Sequence, residues 1–107
     1  MSASGFYTLK GYQLIESDEL TPAMQDYLEM ICRLSAESSI VRVSVLAAEL
    51  HVRPSSASKM AAHLADTGYI LFARYGYIRL ADKGREIGRY LLHRHEVIHR
   101  FLCLVNR

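Results

Sequence analysis

Val43–Tyr69, VSVLAAELHVRPSSASKMAAHLADTGY, fits very few local structures. It predicts two short helices around a tight turn, a helix-turn-helix. The first helix runs to about Leu50, with Ser44 as its cap and Val45, Leu46 and Leu50 facing inward. Ala47 is the small residue needed where the two helices cross. His51-Val52-Arg53 forms the turn. His51 stands where glycine is usual, and histidine enters the left-handed region more readily than a branched residue does. Pro54 then presets the backbone of a second helix. Ala57, Met60, Ala61 and Leu64 anchor that helix inward. Ser55, Ser58, Lys59 and Ala62 face out, and Gly68 ends it as a glycine C-cap does.

The flanking segments extend this pattern. Thr21-Pro22 is a strong helix start, with a hydroxyl N-cap before proline. The helix it opens runs to about Ala36. Met24, Tyr27, Leu28, Ile31 and Leu34 line its core face, and Asp26 and Glu29 lie opposite. Ser38–Ser44 reads as a short extended connection. From Tyr69 to Ala81 the apolar period changes to two: Ile70 and Phe72 on one arm, Ile78 and Leu80 on the other. Arg74-Tyr75-Gly76 lies between, so the segment is a β-hairpin. A hairpin directly after the second helix is a wing. Asp82 is expected to cap a last long helix, from about Lys83 to Val105. Its apolar stripe, Ile87, Leu91, Ile98, Phe101, Leu102 and Val105, is broader than one small domain needs and points to a partner surface, a second copy of the chain. The fold expected is therefore mainly α with a small β-hairpin, a winged helix-turn-helix. It divides into an arm over 1–20, a DNA-binding domain over 21–82, and a linker or dimerisation helix over 83–107.

Composition narrows the function classes. The 107 residues suffice for one domain, and half are apolar, which argues against disorder. No apolar run reaches membrane-span length and no signal peptide opens the chain, so a cytoplasmic protein without a membrane partner is expected. Cys32 and Cys103 lack CxxC spacing and read as buried free thiols. There is no Gly-rich phosphate loop, and no serine or cysteine placed with a base as a nucleophile. An enzyme, or a binder of a small organic substrate, is not expected. Net charge is only +2, but Arg53, Lys59, Arg74 and Arg79 cluster in and after the helix-turn-helix. The second helix has a small polar outer face that can enter a major groove. Its first amides and the Ser55 and Ser56 hydroxyls suit phosphates. Lys59 and Arg53 reach a base edge or a phosphate, and Arg74 and Arg79 suit the backbone. Arg42, Ser58 and His63 complete the candidate contacts to a double-stranded operator.

The segments MQDYLEMI (Met24–Ile31), VRPSSASKM (Val52–Met60), the wing and GREIGRYLLHRHEVIHRFL (Gly84–Leu102) together resemble the diphtheria-toxin-repressor-like metal-dependent regulators, of the manganese transport regulator type. The resemblance covers roughly residues 20–107. It implies a homodimeric repressor whose operator affinity rises with Mn(II) or Fe(II). In such proteins the metal joins the first helix to the long helix after the wing. Asp26 and Glu29 fall on the first-helix carboxylates of the manganese type, and His95 on the long-helix histidine. Position 99, commonly a glutamate ligand in the family, is His99 here. Further family ligands lie on a following dimerisation helix, before which this chain stops. By residue chemistry, Asp26 and Glu29 at i and i+3, with His95 and His99 at i and i+4, suit Mn, Fe, Co or Zn. The alternative expectation is a winged-helix accessory domain that binds protein and lacks a metal response.

Overall fold

Thr21 opens the first helix in the manner expected. In the computed structural model, which describes residues 20–105, Thr21 Oγ1 accepts a hydrogen bond from the Met24 amide at 3.2 Å, and Pro22 stands in the first turn. Helix α1 (Pro22–Ser35) buries Met24, Leu28 and Ile31, spaced by four and three residues. Leu20, just ahead of it, is buried in the same core. The rest of the expected arm lies outside the described residues.

The connection after α1 carries a strand that sequence periodicity misses. β1 (Val41–Arg42) pairs antiparallel with the wing, Val41 opposite Ile78 and Arg42 opposite Tyr77. Helix α2 (Val43–Leu50) follows without a break, so the expected Ser44 cap is corrected. Arg42 is the N-cap, it makes no side-chain capping bond, and Ser44 lies inside the helix. Val45, expected inward, is exposed, while Leu46 and Ala47 are buried. His51 closes α2 in the left-handed region at φ 56°, ψ 43°. The Val52 amide then reaches the Ala47 carbonyl at 3.0 Å, which satisfies a carbonyl otherwise orphaned at the helix end.

Helix α3 (Pro54–Asp66) crosses α2 and buries Ala57, Ala61 and Leu64. The same kind of end recurs beyond it. Gly68, at φ +88°, lets the Tyr69 amide return to the Leu64 carbonyl at 2.9 Å. Tyr69 is buried and leads into the wing, β2 (Ile70–Ala73) and β3 (Tyr77–Leu80). Their register sets Ile70 opposite Leu80 and Phe72 opposite Ile78. Ile70 and Ile78 are buried while Leu71 and Arg79 are exposed, the alternation expected of a strand with one wet face. A tight three-residue turn over Arg74–Gly76 joins the strands, with Tyr75 and Gly76 both at positive φ. The sheet has three strands in the order β1-β3-β2.

Helix α4 (Asp82–Val105) begins one residue earlier than expected. The Arg85 amide bonds the Ala81 carbonyl at 2.9 Å, which makes Ala81 the cap. Asp82 is instead in the first turn, where its carboxylate pairs with Arg85 at 3.1 Å and favours the positive end of the helix dipole. Two glycines let α4 close on the body. A Cβ on Gly84 would stand 1.9 Å from the Tyr69 carbonyl oxygen, and one on Gly88 would stand 2.9 Å from Cys32 Cβ. Ile87 and Leu91 are buried against the core, but Ile98, Phe101 and Leu102 are exposed. The apolar stripe is thus used in its first half only. Cys32 is half-buried under Gly88, whereas Cys103 is exposed, contrary to the expectation of two buried thiols.

Candidate functional site

The outward face of α3 carries most of the residues marked for DNA. Ser55, Ser56, Lys59, Ala62 and His63 are exposed, and Ser58 is half-buried. Arg53 stands at the N-cap and makes no side-chain capping bond. The first-turn amides of α3 are therefore left to an outside acceptor. Arg74 and Arg79 are exposed on the wing. Arg42 is held more tightly: its Nη2 donates to the Tyr77 hydroxyl at 3.0 Å, and its guanidinium stands 5.3 Å from the centre of that ring. The sheet thus fixes the direction of one basic side chain through a strand pairing that periodicity does not reveal.

A groove of about 410 Å³ runs between α1 and α3, lined by Ala23, Tyr27, Ser56, Lys59, Met60 and His63. Tyr27, read from spacing as a core residue, is only half-buried and borders the exposed Lys59 and His63. Its phenol is the one signal that could have flagged it, because a tyrosine at a core edge presents a polar tip.

The second cluster lies where α1 packs on α4. Glu29 Oε1 stands 3.4 Å from His95 Nδ1 and 3.0 Å from Arg33 Nη2. Asp26 is one turn earlier on α1 and exposed. Beside them, Arg94 Nη2 donates to Gln25 Oε1 at 2.8 Å, and Gln25 Nε2 donates to the Leu20 carbonyl at 3.1 Å. The Arg94 guanidinium also stands 5.8 Å from the Tyr90 ring centre. His99 has a different neighbour, Cys103 on its own helix, with Nε2 and Sγ 3.6 Å apart. So α1 and α4 bring Glu29 and His95 together, and His99 pairs one turn further along. Among the described residues, no group of three or more His, Cys, Asp or Glu side chains converges to hold a metal. Glu29 and His95 do supply one oxygen and one nitrogen donor, a set that suits a borderline divalent ion. Burial pushes the thiol of nearby Cys32 above its ordinary range, with Arg89 and Arg85 opposing that rise.

Residues 19–78 match the family model described as iron dependent repressor, N-terminal DNA binding domain. The chain belongs to this family. Its curated relatives include the HTH-type transcriptional regulator MntR of Geobacillus kaustophilus, 42% identical over 85 residues, covering 79% of this chain and 60% of the relative. The MntR of Bacillus subtilis is 40% identical over the same shares. These relatives of the iron-dependent repressor family are transcriptional regulators rather than enzymes, and the chain spans about 60% of their length. Among solved structures, the transcriptional regulator Tm0710 of Thermotoga maritima is similar at a TM-score of 0.59 and 17% identity, covering 95% of this chain and 73% of that one. A MarR family protein of Bacillus stearothermophilus gives 0.58 at 15% identity, over 96% of this chain and 83% of that one. At such identities these two establish the winged-helix fold alone. Among the described residues, no helix is long and apolar enough to cross a membrane.

Proposed function

We propose that this chain is the DNA-binding part of a metal-responsive transcriptional repressor that acts in the cytoplasm as a homodimer on a double-stranded operator. The observation that carries the reading is the 3.4 Å approach of Glu29 to His95. It links the helix before the helix-turn-helix to the helix after the wing. The description of its family, iron dependent repressor, supports iron as the ion, the resemblance of Met24–Ile31 and Gly84–Leu102 to manganese transport regulators supports manganese, and cobalt or zinc is chemically admissible.

Asp26, Glu29 and His95 are the ligands in this reading, and His99 is the outermost candidate. A bound divalent ion supplies positive charge to the two carboxylates and a bond to the imidazole. Asp26 and Glu29 sit one turn apart and repel each other when both are ionised. Arg33 offsets part of that repulsion by pairing with Glu29 at 3.0 Å. Occupation would remove the remainder and hold α1 against α4. Since α3 packs on α1 and α2, a fixed α1–α4 angle fixes where each recognition helix points from the dimer axis. Ser55, Ser56 and the first amides of α3 take phosphate. Lys59, Arg53, Ser58 and His63 face bases or backbone, and Arg42, Arg74 and Arg79 take the flanking backbone. The exposed apolar face of Val97, Ile98, Phe101 and Leu102 is the dimer surface.

Two variants separate the parts. Lys59→Ala is expected to weaken duplex binding with or without Mn(II), whereas Asp26→Ala should remove only the increment that Mn(II) adds. Gel shifts with both variants read this directly. Equal metal response in Asp26→Ala and in the unaltered chain would sink the assignment of the ligand.

A further inference from the structure

Two donor residues near the end of α4 stand together without a shared role so far. His99 and Cys103 are one helical turn apart, and Cys103 Sγ lies 3.6 Å from His99 Nε2. Both are exposed, in a shallow depression shared with Arg100 and Leu104. The Arg100 charge is already engaged, since its Nη2 lies 2.6 Å from Glu96 Oε1. A zinc-type ion bonds thiolate sulfur at about 2.3 Å and imidazole nitrogen at about 2.0–2.1 Å in tetrahedral sites. Two such bonds at the tetrahedral angle set their donors roughly 3.6 Å apart. The observed separation, in itself an ordinary sulfur–nitrogen hydrogen-bond contact, matches the bite of that chelate.

We propose that His99 and Cys103 form a second metal site, for a thiolate-seeking divalent ion such as Zn(II) or Co(II), separate from Asp26, Glu29 and His95, and that His99 belongs to this pair rather than to that first set. Ligand type divides the two sites. A carboxylate-rich set suits Mn(II) or Fe(II), and a thiolate with an imidazole does not suit Mn(II). Among the described residues no further His, Cys, Asp or Glu joins the pair, so water or a small thiol fills the other coordination positions. On binding, a metal–sulfur and a metal–nitrogen bond form as bound waters leave the hydrated ion for solvent. The Cys103 thiol proton passes to solvent, and Nε2 binds as neutral imidazole with its proton on Nδ1. The inference stands apart from the repressor reading: it rests on α4 alone and needs no operator.

The test is a Co(II) titration of the full chain, followed by absorption. A cobalt–thiolate bond gives a near-ultraviolet charge-transfer band that oxygen and imidazole donors do not. The band is expected in the unaltered chain, in Asp26→Ala and in Cys32→Ser, and lost in Cys103→Ser. In His99→Ala it appears only at much higher cobalt. Proton release should track the band, and excess Mn(II) should leave it in place. No band in the unaltered chain, or a band that survives Cys103→Ser, would overturn the proposal. Displacement by Mn(II) would overturn the separateness of the two sites. Failure of the Asp26 assignment leaves each of these readings unchanged.

Discussion

His95 Nδ1 stands 3.4 Å from Glu29 Oε1 across the junction of α1 and α4. The two residues flank the whole winged helix-turn-helix in sequence, so a change in their attraction acts on the frame that carries α3. Next to them, Arg94 and Gln25 bridge the same helices at 2.8 Å. The frame therefore has a bond that needs no metal, beside a pair that can take one.

The Arg94–Gln25 bond is expected to set the stiffness of the metal-free state. It is partly buried and has one charged partner. A double-mutant cycle with Arg94→Ala and Gln25→Ala should give a coupling of about 1 kcal/mol in urea unfolding. Metal-free duplex affinity should fall in each single variant, while the Mn(II) increment persists. Additive effects of the two substitutions would show that the contact contributes nothing.

Gly84→Ala should be among the most damaging single-methyl changes. Its Cβ would meet the Tyr69 carbonyl oxygen at 1.9 Å, and that oxygen is already held by the Ala81 amide at 3.1 Å. Backbone must move, so a loss of about 3 kcal/mol is expected in the midpoint of chemical unfolding. At Gly68 a Cβ meets nothing within 4 Å, but φ is +88°. Gly68→Ala should therefore lose less, about 1 kcal/mol, through backbone strain alone.

The two thiols should differ in reactivity. Burial raises the Cys32 thiol above its ordinary value, although Arg89 and Arg85 pull the other way, and Cys103 is exposed. With iodoacetamide at neutral pH, mass spectrometry should find Cys103 alkylated first. The same shift has a sign for stability. The folded state holds the Cys32 proton more tightly than the unfolded state does. Stability is thus flat below the ordinary thiol range and falls as pH climbs through it. Cys32→Ser should flatten that alkaline fall.

The wing arginines should act on salt dependence. If Arg74 neutralises one phosphate, Arg74→Ala lowers the slope of log affinity against log salt by about one. Anisotropy titrations of a labelled duplex at several salt concentrations read this slope. An unchanged slope would place Arg74 away from the DNA.

Much of this fold is legible in the chain because its signals are local. Thr21-Pro22 and Pro54 mark helix starts through capping chemistry, and Gly68 marks an end through its accessible φ. Ile70, Phe72, Ile78 and Leu80 show the period of the wing. What escapes is tertiary. β1 is two residues long and is defined only by its partners Ile78 and Tyr77, which no periodicity can reveal. Ser44 has the chemistry of a cap, yet α2 starts earlier, directly after β1, with the still-extended Arg42 as its cap. Of the site, Asp26, Glu29, His95 and His99 can be found by residue type, spacing and family resemblance. Which of them meet depends on how α1 packs on α4. That packing pairs His95 with Glu29 and leaves His99 to Cys103.

The central claim is that metal binding and DNA binding are coupled through the α1–α4 junction. The most direct measurement is the affinity of this chain for a labelled duplex, selected by the chain itself from a random pool, with and without Mn(II) at fixed salt and pH. The account predicts tighter binding with Mn(II), by roughly five-fold or more as coupling of this kind typically gives, and loss of that gain in Asp26→Ala and Glu29→Ala. The same affinity with and without Mn(II), and with Fe(II) in its place, would contradict it.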